Sequence, residues 1–210
     1  MIAILDYDAG NIKSVEKALQ FLGEEAIITD DRDTILSADR AVLPGVGAFG
    51  IAMDKLRSRG LDKVIYEFTA SGKPFLGICL GLQLLFDSSD ESPGVKGLGL
   101  LKGKITKIPT EYTDDNGNNV QQKVPQIGWN DLTINPDSRL FAGITGNPYV
   151  YFVHSYFLTA ENPSEVAAST YYGTTIHAAV ERGNIFATQF HPEKSSDVGL
   201  KILENFIKMA

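Results

Sequence analysis

The sequence predicts an α/β fold with a mostly parallel central sheet flanked by helices and with antiparallel strands in its second half. Three observations predict it. In residues 1–83, short apolar runs alternate with segments whose apolar residues recur every three or four positions, the order that builds a parallel sheet with helices on both faces. From Gly94 to Phe190 the helical period gives way to short runs rich in Val, Ile, Thr, Tyr and Phe, separated by turn signals such as Asp114-Asp115-Asn116-Gly117, Asn147-Pro148 and Arg182-Gly183-Asn184. The stretch Ser196–Met209 returns to helical spacing, with Val198, Ile202, Leu203, Phe206 and Ile207 on one side, and reads as a closing helix. With 210 residues, 43% of them apolar, the chain can bury one sizeable core, so one domain over residues 1–210 is expected.

Taken in order, Met1–Leu5 reads as a buried strand, and Ile12, Val15, Leu19 and Leu22 form the stripe of an amphipathic helix closed by Gly23. Ala26–Thr29 is a second strand. Asp30, Asp31 and Asp33 precede the helical Thr34–Ala38; with no histidine near, they suit a solvated turn with capping carboxylates better than a metal site. Ala41–Leu43 is a third strand and runs into Pro44-Gly45-Val46-Gly47-Ala48-Phe49-Gly50. This loop holds a G-x-G-x-x-G pattern, but no acidic residue ends the next strand to bind a ribose. It reads instead as a loop whose free N–H groups stabilise an anion, with a plain glycine-rich turn as the alternative. Leu61, Val64, Ile65 and Phe68 make another helical stripe, broken at Ser71-Gly72-Lys73-Pro74. Gly97 to Lys104 resembles a phosphate loop, but its spacing is one residue too long and Ile105 stands where Ser or Thr is needed.

The only cysteine lies in Phe75-Leu76-Gly77-Ile78-Cys79-Leu80-Gly81-Leu82-Gln83. A buried strand, a cysteine between glycines at positions −2 and +2, and a following helix describe a nucleophile elbow, in which larger residues beside the sharp turn would clash. A helix N-terminus favours thiolate, the reactive form of the side chain. A small buried hydrophobe is the alternative for a lone cysteine.

A thiolate nucleophile needs a base and a group that orients the base. Of three histidines, His177 lies in an alternating strand and reads as surface or half-buried, and His154 sits among aromatics and reads as a satisfied core residue. His191 follows a strand and opens His191-Pro192-Glu193, where an extended segment would bring Glu193 to the imidazole. The expected site is therefore Cys79 as nucleophile, His191 as base and Glu193 as orienter. Its oxyanion would be held by the backbone N–H of Leu80 and of Val46 or Gly47. That chemistry is acyl transfer through a thioester. The residues alone leave the substrate of such a cysteine hydrolase undetermined, and a peptidase with the same elbow or a catalytically idle binding protein stays open beside it.

A net charge of −7 without a dense basic cluster argues against nucleic acid as partner. Met1–Leu5 is too short for a signal peptide or a membrane span, and one cysteine forms no internal disulfide, so a cytoplasmic protein is expected. No cofactor and no metal are expected.

The motifs resemble the class I, or triad, glutamine amidotransferases. The likeness covers nearly the whole chain: Asp6-Tyr7 to Gly10-Asn11, Pro44 to Gly47, Gly77 to Gln83, Gly128-Trp129-Asn130, Tyr151 to Tyr156 and His191 to Ser195. Pro-Gly-Val-Gly, Gly-Trp-Asn and Phe-Val-His-Ser-Tyr point, within the family, to the branch serving imidazole glycerol phosphate synthesis. The resemblance implies a flavodoxin-like fold and attack of Cys79 on the side-chain amide of L-glutamine. It implies that Gln83, which the helix pattern alone would place on the surface, holds the substrate together with backbone of Gly47, Ser155 and Tyr156. It further implies a heterodimer in which ammonia passes to the cyclase subunit of imidazole glycerol phosphate synthase. Asn11, Trp129 and Lys194, with the Tyr7–Asn11 segment, would face that cyclase. Asp8 stands where many members have glycine. The glycine pair beside Val46 also suggests that the Pro44–Gly47 peptides turn away from the oxyanion position until the cyclase binds.

Overall fold

A computed structural model describes residues 1–8 and 10–209. The chain alternates β1 (Ile2–Leu5), α1 (Ile12–Phe21), β2 (Ala26–Thr29), α2 (Arg32–Ser37), β3 (Arg40–Leu43), α3 (Phe49–Ser58), α4 (Leu61–Ala70), β4 (Phe75–Ile78) and the short α5 (Leu80–Leu84). Strands then dominate: β5 (Ser88–Ser89), β6 (Gly103–Lys107), β7 (Glu111–Thr113), β8 (Asn119–Gln121), β9 (Gln126–Asp131), β10 (Thr133–Ile134), β11 (Tyr149–His154), β12 (Tyr156–Ala160), β13 (Val166–Tyr171), β14 (Thr175–Arg182) and β15 (Ile185–Thr188). Helix α6 (Ser196–Ile207) closes the chain.

The main sheet has eight strands in the order β10-β13-β14-β15-β4-β3-β1-β2. Its β15-β4-β3-β1-β2 part is parallel, and β10, β13 and β14 are antiparallel additions. The second half is thus not wholly antiparallel, because β15 returns to the centre and pairs parallel to β4. Its four residues are all buried, so it carries no alternation that would betray its direction.

Alternation along the central strands builds two cores. Ala3, Leu5, Ala41, Leu43 and Phe75 face one side, where Ile35 of α2, Phe49 and Met53 of α3 and Leu61 and Ile65 of α4 cover them. Ile2, Ile4, Val42, Leu76 and Ile78 face the other, under Val15 and Leu19 of α1 and Ile202 and Phe206 of α6. Burial of this kind contributes about 25 cal/mol per Å² of apolar surface and fixes the register, since a slip by one residue would exchange the two faces. In the acidic run, Asp31 caps α2: its carboxylate accepts from the Thr34 amide at 2.8 Å. Among the described residues no helix is long and apolar enough to cross a membrane.

The consequence for function lies at one edge of this sheet. The carboxyl ends of the neighbouring strands β3, β4 and β15 release, respectively, the Pro44–Gly50 loop, Cys79 and the Gln189–Glu193 segment. Crevices at such strand ends are where open α/β sheets bind ligands.

Candidate active site

Cys79 sits between β4 and α5 with φ 55° and ψ −107°, a strained conformation for a residue with a side chain. The strain is held from both sides. The Cys79 amide donates to the Thr188 carbonyl of β15 at 2.7 Å, and its carbonyl accepts from Gln83 at 3.3 Å. A Cβ on Gly81 would lie 1.8 Å from the Leu43 carbonyl oxygen, and one on Gly77 would lie 2.9 Å from Gly81 backbone. Both glycines are therefore required by close backbone approach.

His191 and Glu193 are brought together by a 3₁₀ turn over Pro192–Lys194 rather than by the extended segment expected. Pro192, at the start of the turn, sets the backbone angle and needs no amide partner. His191 Nδ1 lies 2.8 Å from Glu193 Oε1, and both side chains are essentially inaccessible. The turn is seated by Ser195, whose hydroxyl donates to the His191 carbonyl at 2.6 Å and accepts from the Tyr151 amide at 3.0 Å. Gly199 of α6 lets that helix abut the turn, because a Cβ there would lie 1.9 Å from the Pro192 carbonyl oxygen. Burial disfavours the charged imidazolium, but the favourable interactions with nearby Cys79 and with the bonded Glu193 carboxylate outweigh it and raise the His191 pKa above the usual imidazole value. His191 Nε2 is buried with no hydrogen-bond partner among the described residues, leaving that nitrogen available for proton transfer.

Beside Cys79 lies a cavity of about 290 Å³ lined by Val46, Gly47, Leu80, Gln83, Ser155 and Tyr156, among others. Among the described residues Glu91 is the one acidic side chain on its wall. Gly47 has φ +104°, and the Gly45 carbonyl accepts from the Leu80 amide at 3.3 Å, so in this conformation that N–H is engaged by the glycine loop. Tyr7 holds the same loop through its hydroxyl, which donates to the Pro44 carbonyl at 2.8 Å. Burial first, and the nearby Cys79 second, push the Tyr7 phenol above its usual pKa.

A family model described as glutamine amidotransferase class-I matches residues 3–210. The chain belongs to the class I glutamine amidotransferase family. Among curated relatives, "Imidazole glycerol phosphate synthase subunit HisH" of Syntrophotalea carbinolica is 47% identical over 206 residues, covering 98% of this chain and 98% of its own. The HisH subunit of Methanothermobacter thermautotrophicus is 49% identical over 209 residues, covering 100% and 98%. Two solved structures share the fold at 20% identity: a glutamine amidotransferase with TM-score 0.73, covering 98% of both chains, and PurLQS from Thermotoga maritima with TM-score 0.70, covering 98% and 96%.

Set against the residues singled out from sequence, this amidotransferase fold brings Cys79, His191, Glu193, Val46, Gly47, Leu80, Gln83, Ser155 and Tyr156 to one site. Gln83 is not helix surface: α5 is a single buried turn, and Gln83 is 5% exposed with its Nε2 donating to the Tyr156 carbonyl at 3.0 Å. Tyr7 does not reach a partner-facing surface, being 1% exposed and turned onto Pro44. The segment's Ala9 lies outside the described residues. Asn11 directs its amide inward, donating to Glu193 Oε1 at 2.7 Å. Lys194 is exposed, as is Trp129 at 53%, which pairs across β9 and β11 with Tyr151, ring to ring at 6.2 Å.

Sequence reasoning missed Glu91, hidden in a Ser/Asp turn with nothing to mark its approach to the cavity. It also missed Gln189, fully buried next to Cys79. The buried His154 was legible: Nδ1 is 2.9 Å from the Tyr156 carbonyl and Nε2 is 3.0 Å from the Gln126 side-chain amide. Burial lowers its pKa to about 4, so the ring is neutral.

Proposed function

We propose that this chain is the glutaminase subunit of an imidazole glycerol phosphate synthase, releasing ammonia from L-glutamine for a cyclase partner in histidine biosynthesis. The observation that carries this reading is the buried His191–Glu193 pair, 2.8 Å apart, beside the strained Cys79 at the mouth of a glutamine-sized cavity. In the reaction, His191 takes the Cys79 proton and the sulfur attacks the side-chain carbonyl carbon of glutamine. Glu193 keeps the proton on Nδ1 and offsets the imidazolium charge. The tetrahedral oxyanion is held by N–H groups of Leu80 and of Val46 or Gly47. Collapse expels ammonia, protonated by His191, and leaves a thioester on Cys79. Water, activated by His191, then releases glutamate and restores the thiol.

Gln83, with backbone of Gly47, Ser155 and Tyr156, orients the substrate, and the Glu91 carboxylate suits its α-ammonium group. Because the Leu80 N–H is engaged by the Gly45 carbonyl, the glycine loop must turn before the oxyanion hole is complete. Docking of the cyclase is the event that turns it. The docking face takes in Trp129 and Lys194, and the exposed Ile127 on the same face of β9 extends it, whereas the Asn11 side chain is turned to Glu193. A cytoplasmic setting fits an ammonia-handling subunit with one thiol and no disulfide.

Glutamate release should be slow for the single chain, rise sharply with the cyclase and its nucleotide ligand, and vanish in Cys79→Ser. Retained turnover in Cys79→Ser would reject the mechanism, and full turnover by the single chain would reject the loop gating.

A further inference from the structure

We infer that Gln189 is a positioning residue for the nucleophile: its side-chain amide donates to the Cys79 sulfur and ties that sulfur, through Gln83, to the bound substrate. The inference rests on the reading of Cys79 as nucleophile and Gln83 as substrate-facing. Its observation is separate. Gln189, just past β15, is 0% exposed, and its Nε2 lies 3.8 Å from Cys79 Sγ.

The direction of this contact follows from one backbone atom. The Tyr156 carbonyl can only accept, so the Gln83 side-chain atom 3.0 Å from it is the amide nitrogen. That nitrogen is also 3.1 Å from the Gln189 amide, which must therefore present oxygen to it. The remaining end of the Gln189 amide is nitrogen, and it faces the sulfur. The main chain at Gln189 is held as well, its N–H donating to the Ala178 carbonyl at 2.8 Å.

The same assignments decide what Gln83 shows the cavity. Its amide hydrogens are directed at Tyr156 and Gln189, leaving its carbonyl oxygen as the polar atom for a ligand. It thus receives an N–H from the substrate. The resulting chain runs from substrate N–H to Gln83 oxygen, from Gln83 N–H to Gln189 oxygen, and from Gln189 N–H to sulfur. Each bond in such a chain polarises the next, so an amide-bearing substrate strengthens the donor aimed at the nucleophile. Of the titratable groups near this sulfur, His191 and Tyr7 act on it directly, and His154 and Glu91 line the same cavity. The side chain of Gln189 bonds to Gln83 and Cys79 and, among the described residues, to none of these four.

The test compares parent, Gln189→Met and Gln189→Asn, each assembled with the cyclase. Methionine fills the space without a donor, and asparagine keeps a core amide while withdrawing it from the sulfur by one methylene. Two quantities are read: the rate of Cys79 alkylation by iodoacetamide across pH, and kcat and KM for glutamine. A hydrogen bond to a charged group at the weak end of the usual range corresponds to roughly tenfold, so the alkylation curve should move upward by about one on the pH scale. The same change should lower kcat about tenfold, with KM altered less than about threefold. A merely structural role would lower the melting temperature and leave the alkylation curve in place. If either variant melts cooperatively and alkylates along the parent curve, the inference is overturned. Should one variant fail to fold, the other decides. Glutamate release by Cys79→Ser would overturn the site reading and this inference together, whereas a dead Cys79→Ser with coincident alkylation curves overturns the amide chain alone.

Discussion

Gly81→Ala is the substitution at which local sterics and catalysis meet. The added Cβ would stand 1.8 Å from the Leu43 carbonyl oxygen and 2.9 Å from its carbon, and both are backbone atoms of a central strand. Ordinary carbon–oxygen contact needs about 1.5 Å more, so α5 and the end of β3 must part by roughly that distance. Overpacking of this kind costs about 1–3 kcal/mol, and the rigid β3–β4 pairing places this case at the upper end, about 3 kcal/mol. The displacement also carries Cys79 away from His191 and the Pro44–Gly47 loop away from Leu80. A misplacement of about 1 Å lowers rates by roughly 100-fold. Urea unfolding of the single chain and glutamate release by the assembled complex measure the two effects. Stability within about 0.5 kcal/mol of the parent and turnover within about threefold would refute the claim that backbone contact demands this glycine.

Asn11→Ala removes the donor 2.7 Å from Glu193 Oε1, in a carboxylate whose Oε2 has no partner among the described residues; kcat for glutamine should fall about tenfold, as measured at saturating cyclase. Trp129→Ala should weaken cyclase binding about 30-fold or more, read by titration, while the melting temperature of the single chain stays within about 2 °C, because the ring is half exposed. His154 makes a pH prediction. Its folded pKa lies below the ordinary 6.5, at about 4, so it contributes stability above pH 6.5 that is lost as pH falls towards 4, when the unfolded chain takes up the proton first. The loss amounts to about 3 kcal/mol, and His154→Gln should flatten the dependence of the urea midpoint across that window.

How much of this was legible in the sequence depends on distance along the chain. The elbow was, because Gly77, Cys79 and Gly81 are neighbours and one steric demand writes all three. The strand–helix alternation of the first half was legible for the same local reason, and so was the Asp31 cap. The His191–Glu193 contact was read correctly as a pair but for the wrong reason, since Pro192 starts a 3₁₀ turn instead of prolonging the strand. Gln83 was misread because α5 is too short to show a solvent face: all five of its residues are buried. Gln189 and Glu91 left no local mark. Their importance comes from the order of strands, which sets β15 beside β4 and lays the Ser88–Ser92 turn over the glycine loop. The Asn11–Glu193 bond spans 182 positions, and no local pattern records such a contact.

On the proposed mechanism glutamine is cleaved through a thioester on Cys79. Its most direct measurement is mass spectrometry of the acid-quenched complex during turnover, followed by peptide mapping. A glutamyl adduct confined to the peptide carrying Cys79, formed with glutamine and absent in Cys79→Ser, is the predicted result. Steady glutamate production with no adduct on that peptide, or with the adduct on another residue, would contradict it.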